Sequence, residues 1–132
     1  MMTKKRAAHQ HSQSSLQIFA KDLVRRSRSK CELCQKADRL FVYEVPPVPA
    51  EPDFEKCIFI CQGCLRQIEK PKELDPRYWK CLRETIWSEV PAIQIMAGRM
   101  LKRLSALAPW ASEVLEEVYL EEEILEAINE VD

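Results

Sequence analysis

Two cysteine pairs with the same spacing are the residues of this chain best suited to chemistry. Cys31 and Cys34 form one Cys-x-x-Cys pair, and Cys61 and Cys64 form the other. Such a turn presents two thiolates to one ion, while its backbone amides can donate to the sulfurs. Two turns complete a tetrahedral shell that leaves no position for water, which is typical of structural zinc. We therefore predict one structural Zn²⁺ ligated by Cys31, Cys34, Cys61 and Cys64.

Three other uses of paired cysteines compete with a zinc site: a rubredoxin-like iron site, a redox-active dithiol and a pair of disulfides. A thioredoxin-type dithiol would be a single pair near a βαβ pattern. Disulfides require an oxidising compartment, whereas the first residues lack the apolar core of a secretion signal. We expect a cytoplasmic protein with reduced thiols, and zinc is the preferred interpretation.

The composition is that of a single small domain with charged ends. The chain has 132 residues and a net charge of −1 at pH 7, and this length is usual for one hydrophobic core. Residues 1–30 hold eight Lys and Arg against one acid, whereas residues 111–132 hold nine acids and no Lys or Arg. No apolar stretch is long enough to span a bilayer. We therefore expect no membrane partner.

The N-terminal segment is predicted to be a tail followed by a short helix. Residues 1–14 are polar and lack periodicity, so we expect a disordered extension in which His9 and His11 are solvated. Ser15 is a candidate N-cap for an amphipathic helix. Its apolar face consists of Leu16, Phe19, Ala20, Leu23 and Val24.

The last turn of this helix runs into four positive charges, Arg25, Arg26, Arg28 and Lys30. Positive charge suits a helix C-terminus and the neighbourhood of a zinc tetrathiolate, whose formal charge is negative. A solvated helix end that balances the zinc site is the preferred interpretation. Nucleic-acid binding is the alternative, because clustered positive charge is one part of such a footprint.

The segments around the second cysteine pair predict a treble clef. Residues 40–45 have the β-branched and aromatic content of a strand, and residues 57–60 form a second strand that leads into Cys61. A short helix follows. The order is therefore knuckle, strand, loop, strand, knuckle, helix, with the second pair at a helix N-terminus whose dipole favours thiolates.

HNH-type nucleases share this architecture, so their histidine positions need comparison. Tyr43, Glu44 and Leu65 occupy the matching positions here, and no histidine follows residue 11. Without an imidazole to bind a catalytic metal and activate water, these positions do not predict hydrolysis. We expect a non-enzymatic protein.

From residue 72 onward the chain is predicted to be helical. Asp75-Pro76 is a start signal, Pro91 restarts the path, and a third segment follows Pro109. Cys57 and Cys81 are expected to be small buried hydrophobes. The predicted apolar faces contain Tyr78, Trp79, Leu82, Ile86, Trp87, Val90, Ile93, Met96, Ala97, Met100, Leu101, Leu104, Val114, Leu115, Val118, Ile124, Leu125 and Ile128.

Four segments closely resemble the PhnA family, which is named for a gene in a bacterial alkylphosphonate-uptake operon. They are residues 30–34 (KCELC), 42–47 (VYEVPP), 61–69 and 79–92, the last containing two tryptophans. The resemblance covers about residues 22–128 and implies a bacterial zinc-ribbon domain followed by a helical region. It implies no particular reaction. Many members continue into a β-rich C-terminal domain with a Lys-Asp-Gly-Asp-like motif, which this sequence lacks.

These observations predict an α+β fold in which a zinc-ribbon or treble-clef module packs against a mainly helical C-terminal half. The expected organisation is a tail over residues 1–14, the N-terminal helix and zinc module over 15–71, and the helical region over 72–132. The expected function is an accessory role with a protein partner. Nucleic-acid binding through the basic segment is the alternative, and a phosphonate-metabolising enzyme is the third.

Overall fold

The computed structural model describes residues 9–130, so the predictions for residues 1–8 and 131–132 lie outside it. Within this range a small antiparallel sheet combines with short helices, which confirms the predicted α+β class. The helices are α1 (Gln13–Leu16), α2 (Ala20–Ser27), α3 (Gln62–Glu69), α4 (Leu82–Thr85), α5 (Pro91–Ser105), α6 (Pro109–Glu117) and α7 (Glu122–Glu130); the strands are β1 (Leu40–Glu44) and β2 (Cys57–Cys61).

The two strands pair in antiparallel register and separate two apolar clusters. Leu40 lies opposite Cys61 and Glu44 lies opposite Cys57. Because successive side chains of a strand point to opposite faces, Ile58 and Ile60 enter the main core while Cys57 and Phe59 enter a smaller one. The smaller cluster also contains Leu16 and Leu23 of the N-terminal helices. Every residue of β2 is consequently buried.

The expected tail is wrong for residues 10–14, which lie against β1. Two side-chain amides take the place of a neighbouring strand: Gln10 exchanges two hydrogen bonds with the backbone of Glu44, and Gln13 exchanges two with that of Val42, at 2.6–3.1 Å. A primary amide can do this because it donates and accepts like a peptide group. The free edge of β1 is thereby covered, which protects it from pairing with another chain.

The start of the first helix also differs from the prediction. Ser12, and not Ser15, is the N-cap of α1, because its hydroxyl accepts from the Ser15 backbone N–H at 3.1 Å. Leu16 and Leu23 are buried as expected, whereas Val24 is 40% exposed. The chain changes from α1 through a 3₁₀ turn at Gln17–Phe19 before α2 begins, so the apolar face does not follow one uninterrupted helical period.

Helix α5 is the centre of the helical half, and α6 and α7 both pack on it. Its predicted apolar face is confirmed, since all six side chains are buried: Ile93, Met96, Ala97, Met100, Leu101 and Leu104. Gly98 permits the close approach of α7, because a Cβ at this position would lie 2.3 Å from Ile128 Cδ1. Within the described residues, none of the helices combines the length and apolar character needed to cross a bilayer.

The segment after Asp75 is shorter and less regular than predicted. A 3₁₀ turn at Tyr78–Cys81 leads into the single turn of α4. Trp79, Leu82 and Ile86 are fully buried, but Trp87 is 58% exposed. The residue before a proline avoids the helical region, and Val90 accordingly adopts an extended conformation ahead of Pro91. The helix itself already ends at Thr85, five residues before Val90, and Trp87 is left outside the core.

Candidate metal centre

The structure brings the four predicted cysteine ligands together. Their sulfurs all lie within 4.8 Å of one another, with 3.7 Å between Cys31 and Cys64 and 3.6 Å between Cys34 and Cys61. Tetrahedral zinc with Zn–S bonds of about 2.3 Å requires sulfurs roughly 3.8 Å apart. A disulfide would require about 2.05 Å, and all six cysteines are free. The arrangement fits one metal ion bound by four thiolates.

The first pair lies in a tight turn between α2 and β1. The Cys31 N–H donates to Lys36 O at 2.9 Å, and the Gln35 N–H donates to Cys31 O at 2.8 Å. Gln35 takes a left-handed conformation with φ 71° to close the turn. The amides of Leu33 and Cys34 point back at the Cys31 sulfur, each at 3.4 Å. These donors stabilise a thiolate, as expected for a zinc knuckle.

The second pair lies where β2 becomes α3, as predicted. Cys61 is the N-cap of α3 and Cys64 lies in its first turn. Unpaired backbone amides at a helix N-terminus favour negative charge there. Both side chains are almost completely buried, Cys61 at 1% exposure and Cys64 at 0%. The site thus combines a helix end with a strand end, and neither can move far without disturbing the sheet.

Tyr78 is a fifth residue of the site that sequence reasoning did not identify. Its hydroxyl lies 3.4 Å from the Cys64 sulfur and 3.6 Å from the Cys61 sulfur. A metal-bound thiolate can only accept a hydrogen bond, so the hydroxyl is the donor. Burial and the hydrogen bonds with both cysteines raise the pKa of Tyr78, which keeps this donor protonated.

Gly63 makes the approach of Tyr78 possible. A Cβ at Gly63 would lie 2.6 Å from the Tyr78 hydroxyl, closer than side-chain carbons come to oxygen without displacement. A larger residue between Cys61 and Cys64 would therefore displace the Tyr78 hydroxyl. The φ of Gly63 is negative, so backbone conformation does not demand a glycine.

Because the four sulfurs lie close together, the pKa values of their thiols shift in opposite directions. The hydrogen bond with Cys31 lowers the pKa of Cys34, whereas hydrogen bonds with Cys31 and Cys34 raise the pKa of Cys64. Four like charges in a buried site repel one another, so without a cation they cannot all be ionised. A divalent ion reverses this balance, and its binding is coupled to release of protons.

Glu32 connects the first knuckle to the sheet and to α2. Its side chain is 4% exposed and accepts from Arg26 through both oxygens, at 2.7 and 2.8 Å. It also accepts from the Phe59 N–H at 2.9 Å, while its own N–H donates to Phe59 O at 2.8 Å. Glu32 thereby covers the outer edge of β2. The basic run contributes to the site through this pair, which spacing in the sequence did not indicate.

Two further predictions have mixed outcomes. Cys57 is fully buried as expected, and burial raises the pKa of its thiol to about 12. Cys81 is partly buried in a 3₁₀ turn, and burial raises its pKa to about 11.

The expected solvation of His11 is wrong. Its ring Nδ1 lies 2.7 Å from Glu44 Oε2, and its backbone N–H donates to Glu44 Oε1 at 2.7 Å. The contact joins residues 33 positions apart, so local sequence gave no sign of it.

Comparison of the chain with protein-family models, curated proteins and solved structures finds no match. The class of protein is therefore defined by its fold and site, as an α+β protein with four clustered cysteines that could hold a metal ion.

Proposed function

We propose that this protein is a zinc-binding protein in which one structural Zn²⁺ fixes the fold around Cys31, Cys34, Cys61 and Cys64. The observation that carries the proposal is the sulfur geometry: two of the distances between sulfurs of different pairs are 3.6 and 3.7 Å. Tetrahedral sulfur sites take zinc or iron. Paired knuckles with a closed shell are characteristic of structural zinc, which supports zinc here.

The ion is proposed to hold the whole chain together. Cys31, Cys61 and Cys64 belong to the same apolar cluster as the α5 side chains Met96 and Met100. Binding free energies of structural zinc in small peptides are about 10–16 kcal/mol, which is comparable to the total stability of a domain. Loss of the metal is therefore expected to loosen the helical half as well as the knuckles.

The proposed role is binding without catalysis, as an accessory protein. A closed shell of four thiolates supports it, because zinc catalysis requires an open coordination position. Membership in the PhnA family remains part of the proposal and rests on the four segments described above. A protein partner was the first expectation from the sequence. The surface described in the next subsection favours the alternative expectation, which is nucleic-acid binding.

Metal content and substitution of single cysteines test the zinc site. Protein purified without added metal is expected to contain one zinc and no iron per chain by elemental analysis, and native mass spectrometry gives the same stoichiometry. Cys64→Ser is expected to lose the metal, because one of its four buried ligands is removed. The cooperative unfolding transition is expected to be lost with the metal. Cys81→Ser is the matched control, and it is expected to retain both. Full zinc content and an unchanged fold in both Cys31→Ser and Cys64→Ser would refute the proposal, as would iron as the resident metal.

A further inference from the structure

We propose that a basic cleft beside the zinc site binds single-stranded nucleic acid. The cleft has a volume of about 770 Å³. One wall is the end of α2 with Arg28, and the other is the segment from Lys80 through α4 to Val90. The proposal rests on the proposed function, because the knuckle that joins both walls is held by the metal.

Hydrogen bonds attach each wall to the first knuckle. On one side, Arg26 binds Glu32 through two contacts. On the other, the Thr85 hydroxyl donates to Leu33 O at 2.7 Å across 52 positions of sequence. Since Glu32 and Leu33 lie between two zinc-ligating cysteines, the metal fixes the distance between the walls. The site is therefore formed before any ligand arrives, which reduces the entropy lost on binding.

The charge of the cleft selects an anion. Four cationic side chains line it, and Arg26 is neutralised by Glu32. Three cations then face one remaining lining acid, Glu84. These three, Arg28, Lys80 and Arg83, are exposed. Arg28 belongs to one wall, and Lys80 and Arg83 belong to the other, so together they can follow the regularly spaced phosphates of a strand.

Flat side chains beside these charges favour nucleic acid over other anions. Trp87 does not itself line the cleft, but it is 58% exposed and belongs to the segment that forms one wall, directly before the lining residue Ser88. Arg83 is stacked on Trp110, 5.3 Å from the ring centroid. Exposed aromatic and guanidinium planes stack on unpaired bases, whereas duplex bases are already stacked on each other. The sequence showed positive charge without an exposed aromatic residue nearby. Because α4 ends at Thr85, the Trp87 side chain is exposed and provides one.

The first test measures binding of zinc-loaded, full-length protein to fluorescein-labelled oligodeoxythymidylate by anisotropy. The triple variant Arg28→Gln/Lys80→Gln/Arg83→Gln is expected to bind about tenfold or more weakly. The magnitude of the slope of log K against log salt should decrease by about 2, because each of the three lost phosphate contacts contributes roughly 0.7. The control Lys56→Gln/Lys70→Gln/Lys72→Gln makes the same change of charge at exposed positions outside the cleft and is expected to bind within about threefold of wild type. Equal losses in the two triples would overturn the proposal.

The second test separates stacking from charge. Trp87→Ala is expected to weaken binding about tenfold with an unchanged salt slope, because stacking adds no counterion release. Tyr119→Ala removes a side chain that is 77% exposed and lies outside both segments that form the cleft walls, and it is expected to have no effect. Equally tight binding of a duplex would contradict the single-strand assignment. Competition by poly-glutamate as effective as competition by the oligonucleotide would assign the cleft to an acidic protein partner instead.

Zinc content distinguishes failure of this proposal from failure of the proposed function. Wild-type protein that holds one zinc but does not bind the oligonucleotide at low salt overturns the cleft proposal alone. If the triple variant loses its metal, the double variant Arg28→Gln/Lys80→Gln preserves the Arg83–Trp110 contact, and its slope should fall by about 1.4. An unchanged slope in a zinc-loaded double variant also overturns the proposal.

Discussion

The ion pair between Arg26 and Glu32 gives the sharpest test of how the knuckle is anchored. Arg26→Gln removes a guanidinium that makes two contacts with Glu32, at 2.7 and 2.8 Å, and a third with Cys57 O at 3.0 Å. The Glu32 carboxylate is then left with the Phe59 N–H as its hydrogen-bond donor. Because its side chain is 4% exposed, water cannot easily replace the lost partner.

The expected effect follows from this burial. Breaking a buried ion pair by removing one partner costs about 3–5 kcal/mol. A glutamine can still donate one hydrogen bond, so we expect the lower end of this range, about 3 kcal/mol. With a urea m-value of about 2 kcal/mol/M, the unfolding midpoint should fall by roughly 1.5 M.

The matched control is the same substitution one residue earlier. Arg25 forms an ion pair with Asp22 at 3.5 Å, with side-chain exposures of 71% and 63%. Exposed pairs of this kind contribute about 0–1 kcal/mol, so Arg25→Gln should move the midpoint by less than about 0.5 M. Both variants are measured by urea unfolding of zinc-loaded protein, followed by circular dichroism.

A second substitution shows whether the buried charge is the cause. In Arg26→Gln/Glu32→Gln no uncompensated carboxylate remains, and the double variant is expected to recover at least about 1 kcal/mol relative to Arg26→Gln. Equal midpoints for Arg26→Gln and Arg25→Gln would refute the reasoning. So would a double variant less stable than Arg26→Gln, because the loss would then come from packing.

Two further predictions concern the donor to the proposed zinc-ligating sulfurs and the N-terminal contact with β1. Gly63→Ala should displace the Tyr78 hydroxyl and, like Tyr78→Phe, weaken zinc retention about 10-fold to 100-fold in a chelator competition; retention equal to wild type in both variants would contradict the assigned role of Tyr78. The hydrogen bond with Glu44 raises the pKa of His11. The stabilisation from its protonation is therefore fully present below the unfolded value of about 6.5 and is lost as pH rises through the folded value. The stability difference between wild type and His11→Gln should accordingly shrink as the pH rises from below about 6.5 through the folded pKa of His11, with His9→Gln as the control, and a difference that grows with pH would show the sign to be wrong.

Much of the fold could be predicted because its determinants are local. The strand composition of residues 40–44, the proline at the start of α5 and the helical period of its apolar face each depend on residues a few positions apart. Trp87 shows where this reasoning fails. Its spacing fits an apolar helical face, but the helix ends before it and leaves the ring exposed.

The candidate site was predictable to the same extent. Cys-x-x-Cys spacing is a local property that identifies all four sulfur positions. Tyr78, Arg26 and Thr85 reach the knuckles or the residues within them only because the chain folds back. Their roles depend on distances in space, and similar residues elsewhere in the sequence carry no such role.

The sequence alone determined the four cysteine positions of the candidate site, the strand and most helix types and the buried face of α5, because spacing and hydrophobic period are encoded within each segment. Only the tertiary structure decided that Gln10 and Gln13 complete the edge of β1, that His11 reaches Glu44, and that Arg28 faces Lys80 across a cleft. The physical reason is the same in each case. Hydrogen bonds and charges between distant segments are short-ranged, so they exist only after packing has brought those segments within a few ångströms.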